Sequence, residues 1–152
     1  MNRETPMGAL QSIIQENELE RNRLASLAAR VTDEQLGILL PNGWTVAGAF
    51  AHLAFWDWNQ LSTLRQWEAG NEKVVLMDVQ TVNEAVHQSS RKIPPRQAVL
   101  MALMAAHEMD GEVSEIPPEL ADVILLKGQE RLLRRSLHRK NHLDKIEGAV
   151  GK

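Results

Sequence analysis

The amino-acid sequence predicts an all-α protein, a four-helix bundle. Four stretches have apolar residues recurring every three to four positions, no pair of alternating runs suggests a β-hairpin, and 152 residues suffice for one domain with a real core. With 43% hydrophobic and 24% charged residues, the composition is that of a globular chain rather than a disordered one. Residues 1–152 are read as a single domain, without internal repeats or low-complexity tracts.

The first helix is expected from Thr5 to about Arg30. Leu10, Ile13, Ile14, Leu24, Leu27, Ala28 and Val31 form its apolar stripe, with Glu16, Glu18, Glu20, Arg21 and Arg23 between them. Thr32, Asp33 and Glu34 read as a fresh cap or turn, and LGILLPNG, with Pro41, Asn42 and Gly43, as a connector that cannot extend a helix. Thr45 caps the second helix, Val46 to Ala69, which carries Val46, Phe50, Leu53, Ala54, Leu61 and Leu64 on one side and stops at Gly70 and Asn71. An irregular excursion follows, holding an apolar run from Val74 to Met77 and a short helical pattern near Val79 to His87. Pro95, tolerated in a first helical turn, opens the third helix, which runs through Val99, Leu100, Leu103, Met104 and His107 to about Val113. Pro117 and Pro118 delimit it. The segment ELADVILLKG is read as a link, and the fourth helix as running from about Gln129 to Gly148 with Leu132, Leu133, Leu137, Leu143 and Ile146.

Several function classes are disfavoured by composition. A net charge of −3 leaves no broad basic footprint, so nucleic acid is not an expected partner despite the local run Arg131, Arg134, Arg135, His138, Arg139, Lys140. No run of about 18 apolar residues occurs and the N-terminus lacks a signal-peptide pattern, so no membrane association and a cytoplasmic location are expected. The chain has no cysteine, so any metal site must be built from His, Asp or Glu.

His138 and His142, four residues apart, stack on one face of a helix, where one divalent ion can be held by both. A third protein ligand is needed, and His52, inside the second helical pattern, is the leading candidate. Around it lie Gly48 and Ala49 one turn earlier and Trp56 and Asn59 later; the tryptophans Trp56 and Trp58 are read mainly as core and rim, Asn59 as a possible partner. His87 and His107 lack partners at a useful spacing. Glu108 is a base candidate only if the third helix abuts the site. Arg131, Arg134 and Arg135 fall near the histidine face and suit an anionic substrate, though at least two of the three are expected on a solvated face.

These stretches, GWTVAGAFAHLAFWDW and LHRKNHLDKIEG above all, with the TDEQL cap and the NEAVHQ segment in the same order, make nearly the whole chain resemble the DinB-like family of four-helix-bundle proteins. That superfamily includes mycothiol-dependent maleylpyruvate isomerases and related thiol S-transferases. The resemblance implies that His52, His138 and His142 bind a divalent metal. Many relatives carry an aromatic residue between or beside the last two histidines, whereas here the intervening residues are Arg139, Lys140 and Asn141. Neutral imidazoles suit Zn²⁺, Ni²⁺ or Fe²⁺, and three of them leave positions open for water or a small-molecule substrate. The expected activity is that of a metal-dependent thiol S-transferase or hydrolase. Without a cysteine of its own, the chain needs a low-molecular-weight thiol such as mycothiol or bacillithiol for thiol chemistry. The alternative is a non-catalytic small-molecule-binding or stress-related bundle protein. Exposure of the Val74–Met77 run makes a homodimer the expectation, against a lid formed by that run over the bundle end.

Overall fold

The computed structural model describes residues 6–72 and 76–151. They form α1 (Pro6–Arg30), α2 (Asp33–Leu36), α3 (Val46–Glu68), α4 (Val79–Ser90), α5 (Pro95–Glu115), α6 (Pro118–Leu126), a 3₁₀ turn (Glu130–Leu132) and α7 (Ser136–Val150). Among the described residues the only β-type pairing is an isolated antiparallel bridge between Leu39 and Thr45. The all-α expectation holds. No described helix is long and apolar enough to cross a membrane.

The four longest helices close a ring: α1 packs on α5, α5 on α3, α3 on α7 and α7 on α1, while α4 lies against α3. Their apolar stripes meet in two separate clusters. Leu24, Leu27, Phe50, Leu53, Val99, Ala102, Leu143 and Ile146 fill one, and Ile13, Leu61, Leu64, Met109, Val113, Ile124 and Leu133 fill the other.

Between them every one of the four helices buries a polar side chain: Asn17, Asp57, Asp110 and Arg139. Arg139 is 0% exposed, and its guanidinium grips Asp110 in a two-pronged pair at 2.8 and 2.7 Å while donating to Asp57 at 3.1 Å and to the Asn17 carbonyl at 3.2 Å. Asp57 also accepts from Arg135 Nε at 2.8 Å, and Asp110 from Arg21 at 2.8 Å. Two carboxylates thus serve three cations, the third reaching the surface. Buried charges are tolerated only when paired and hydrogen-bonded in this way.

The last third of the chain departs from expectation at two places. The segment read as a link is α6: Pro118 occupies its first turn, as proline readily does, and Ala121 and Ile124 are buried against the second cluster. The last helix starts at Ser136 rather than Gln129, and ends at Val150. The cause is Asn17 of α1, whose Oδ1 accepts the backbone N–H groups of Arg135 and Ser136, both at 2.9 Å, and whose Nδ2 donates to the Leu133 carbonyl at 2.8 Å. A cap supplied from across the fold satisfies the free donors of the helix start and holds residues 133–135 out of the helix. The excursion contains α4, capped by Asp78. Of the Val74–Met77 run, Val74 and Val75 lie outside the described residues, and Leu76 is 95% and Met77 40% exposed.

Candidate metal centre

The connector before α3 is a tight turn with a structural task. Leu40 and Gly43 close it through Leu40 N–H to the Trp44 carbonyl at 2.7 Å and Gly43 N–H to the Leu40 carbonyl at 2.9 Å. Gly43 stands at φ 87°, a left-handed conformation that favours glycine. Thr45 then caps α3 by accepting from Gly48 N–H at 2.9 Å. The turn delivers Trp44 to His52 in a T-shaped contact, ring centroids 5.1 Å apart, and stacks it on His87 at 4.5 Å. Gly48 serves close approach: a Cβ there would meet Thr45 Oγ1 at 3.2 Å, the Trp44 ring at 3.4 Å and Ser90 Oγ of α4 at 3.5 Å.

His52 of α3 and the His138–His142 pair of α7 converge. His138 Nε2 lies 3.3 Å from His52 Nε2, the His52 and His142 rings are 4.4 Å apart, and one nitrogen from each of the three falls within 4.8 Å of the others. Tetrahedral zinc with Zn–N bonds of about 2.0–2.1 Å holds its ligand nitrogens about 3.3–3.4 Å apart. His52 and His138 already stand at that spacing, and the His142 nitrogen lies within 4.8 Å of both.

All three imidazoles are held neutral. Burial pushes His52 down to about 3, helped by His142, Lys145 and Arg135, and pushes His142 down to about 4, helped by Lys145. His138 is held well below the usual value by burial and then by the Arg135 cation. Neutral rings are what a metal needs. Arg135 Nη2 lies 3.2 Å from His138 Nδ1, and a guanidinium only donates, so Nδ1 accepts and the ring proton sits on Nε2, facing His52. Were a metal held through that nitrogen, the proton would have to move or leave, and the Arg135 contact would change with it.

Because the unfolded chain binds protons near pH 6.5 and the native rings only far below, stability from these groups is complete above about pH 6.5 and is lost as pH falls toward their native values. Between pH 7 and 5.5 the metal-free protein is expected to lose about 1 kcal/mol per site histidine, before most carboxylates titrate. Urea unfolding at the two pH values measures it. An unchanged midpoint would contradict the neutral cluster.

The site opens onto a cavity of about 440 Å³ whose lining includes Trp56, Asn83, Arg131 and Asn141. Trp56, expected as core or rim filling, lines the cavity and donates its Nε1–H to Asn83 Oδ1 at 2.8 Å. Arg131, Arg134 and Arg135 all line it, and the expectation of a mostly solvated basic face is corrected. Arg134 is half-buried and paired with Glu16 and Glu130, Arg135 is 4% exposed, and only Arg131 is solvated. Glu108 is instead taken by Trp58 Nε1–H at 2.8 Å and is not part of the cavity lining; neither is Asn59. His107 lines a separate groove beside α1. Sequence reasoning passed over His87, which backs Trp44, and the buried set Asn17, Asp57, Asp110 and Arg139. A usable signal existed for the last three, since each falls in phase with an apolar stripe: Asp57 with Leu53, Leu61 and Leu64, Asp110 with Ala106 and Val113, Arg139 with Leu143 and Ile146.

No protein-family model, curated protein or solved structure matches this chain.

Proposed function

We propose that the protein is a divalent-metal enzyme built as a DinB-like four-helix bundle, with His52, His138 and His142 as ligands and the adjoining cavity as the substrate site. One observation carries this reading: three imidazoles from two helices converge, with a ligand-like 3.3 Å between two of their nitrogens, on the wall of an open cavity. The donor set suits Zn²⁺, Ni²⁺ or Fe²⁺. Such an ion, when bound, lowers the pKa of a water or thiol and supplies a nucleophile at neutral pH. The chain's own residues orient and exclude. Trp44 shields one edge of His52, and Trp56 fixes Asn83 beside the site. With no cysteine in the chain, transfer of a thiol calls on a diffusible one such as mycothiol or bacillithiol, whereas hydrolysis needs only water.

A second reading has its own support. Among the described residues no Asp or Glu lines the cavity, so apart from the three proposed ligands none of them is placed there to act as a general base. That favours a bundle that binds a small molecule without transforming it. Purified protein loaded separately with Zn²⁺, Ni²⁺ and Fe²⁺ decides between them. Turnover is expected with either thiol donors and electrophiles or esters and amides, and is expected to vanish on chelation. Stoichiometric metal with no turnover in either panel would leave the binding reading.

A further inference from the structure

We infer that the ligand of this cavity is a small organic anion, with Arg131 as its anchor. This deepens the reading above by naming the ligand class, and it rests on the same cavity being the functional site.

Charge inside the cavity is one-sided. Among the described residues three arginines line it and no carboxylate does, although the chain as a whole is net negative at −3. Two of the arginines are already committed. Arg134 is paired with Glu16 and Glu130, and Arg135 with Asp57, so each lends the cavity field without being free to grip a ligand. Arg131 is different: it is exposed, and among the described residues its side chain has no hydrogen bond or ion pair, while its backbone carbonyl is held by Arg135 at 3.2 Å. A guanidinium fixed at its base and free at its tip is suited to a planar two-pronged grip on a carboxylate or phosphate.

The polar lining agrees with the charge. Trp56 Nε1–H can only donate, so the Asn83 atom it meets at 2.8 Å is the oxygen, and the Asn83 NH₂ is left as a donor in the cavity wall. Lys145, exposed on α7, adds to the positive field felt by His52 and His142. The described wall therefore presents arginine cations and the Asn83 donor, which an acceptor-rich anion complements. A volume of about 440 Å³ restricts the ligand to a small molecule.

The test uses metal-free protein, so that binding cannot be ligation to an ion. Malonate, inorganic phosphate and the neutral isostere malonamide are titrated calorimetrically into wild type, Arg131→Gln, Arg131→Lys and, as a control for net charge, Arg91→Gln at the end of α4. The expected result is that malonate or phosphate binds where malonamide does not, that Arg131→Gln weakens the anion by about tenfold or more with partial recovery in Arg131→Lys, and that Arg91→Gln changes nothing. Preference for malonate over phosphate assigns the carboxylate class, and the reverse the phosphate class. Equal binding of malonamide, no anion binding, or an Arg131→Gln variant indistinguishable from wild type overturns the inference. Metal content measured on the same variants keeps the two readings apart. Anion binding with no metal uptake would sink the metal centre alone, and metal uptake with no anion binding would sink this inference alone.

Discussion

Asp57→Ala is expected to destabilise the protein by about 3–5 kcal/mol, the range for breaking a buried ion pair by removing one partner. Asp57 is 1% exposed and holds Arg135 at 2.8 Å and Arg139 at 3.1 Å. Its loss leaves two buried guanidiniums sharing Asp110, and that carboxylate already serves Arg21. Asp57→Asn keeps the shape and part of the hydrogen bonding and is expected to fall between. The comparison that isolates burial is Arg21→Ala: its pair with Asp110 is of similar length, 2.8 Å, but its side chain is 31% exposed, so about 1 kcal/mol or less is expected. Urea denaturation of the three variants measures the order. Equal effects for Asp57→Ala and Arg21→Ala would mean that the polar layer is no costlier to break than a surface pair.

The second large effect is on metal binding. Removing two of the proposed ligands, as in His138→Ala with His142→Ala, is expected to abolish stoichiometric metal uptake, a loss beyond the roughly 10–100-fold that changing a ligand's supporting partner costs. The helical fold should persist. Both residues are partly exposed, Arg135 keeps its bond to Asp57 when His138 is gone, and the two apolar clusters involve neither histidine. Elemental analysis and far-UV circular dichroism on one preparation check both halves. Retained metal would place the ligands elsewhere, and an unfolded double variant would make the ion structural.

How far the sequence reveals the molecule depends on whether the cause of a feature is local. Helices α1, α3 and α5 are legible because their own apolar periodicity determines them, and Thr45 is readable as the cap of α3 because that cap is local. The three histidines are legible because spacing on α7 and context on α3 suffice to pair them. The start of α7 is not, since its capping oxygen comes from Asn17, 118 residues away along the chain from Arg135. The same holds for the arginines. A run of Arg, Lys and His looks like a solvated surface until Asp57 and Asp110, from two other helices, are brought against it. Asp57 itself was discoverable by phase, but phase alone does not say which cation meets it.

The buried polar layer also acts as a measuring mark. Apolar clusters tolerate sliding, because one leucine replaces another at modest cost, whereas a one-turn slip of about 5.4 Å would part Arg139 from both of its carboxylates at once. His138 is the neighbour of Arg139 in sequence and His52 lies five residues from Asp57 on the same helix, so the alignment that matches these charges also matches the imidazoles. The site is thus ruled off from the middle of the molecule outward. Substitutions that repack either apolar end, or lengthen it by a turn, should leave the three nitrogens where they are.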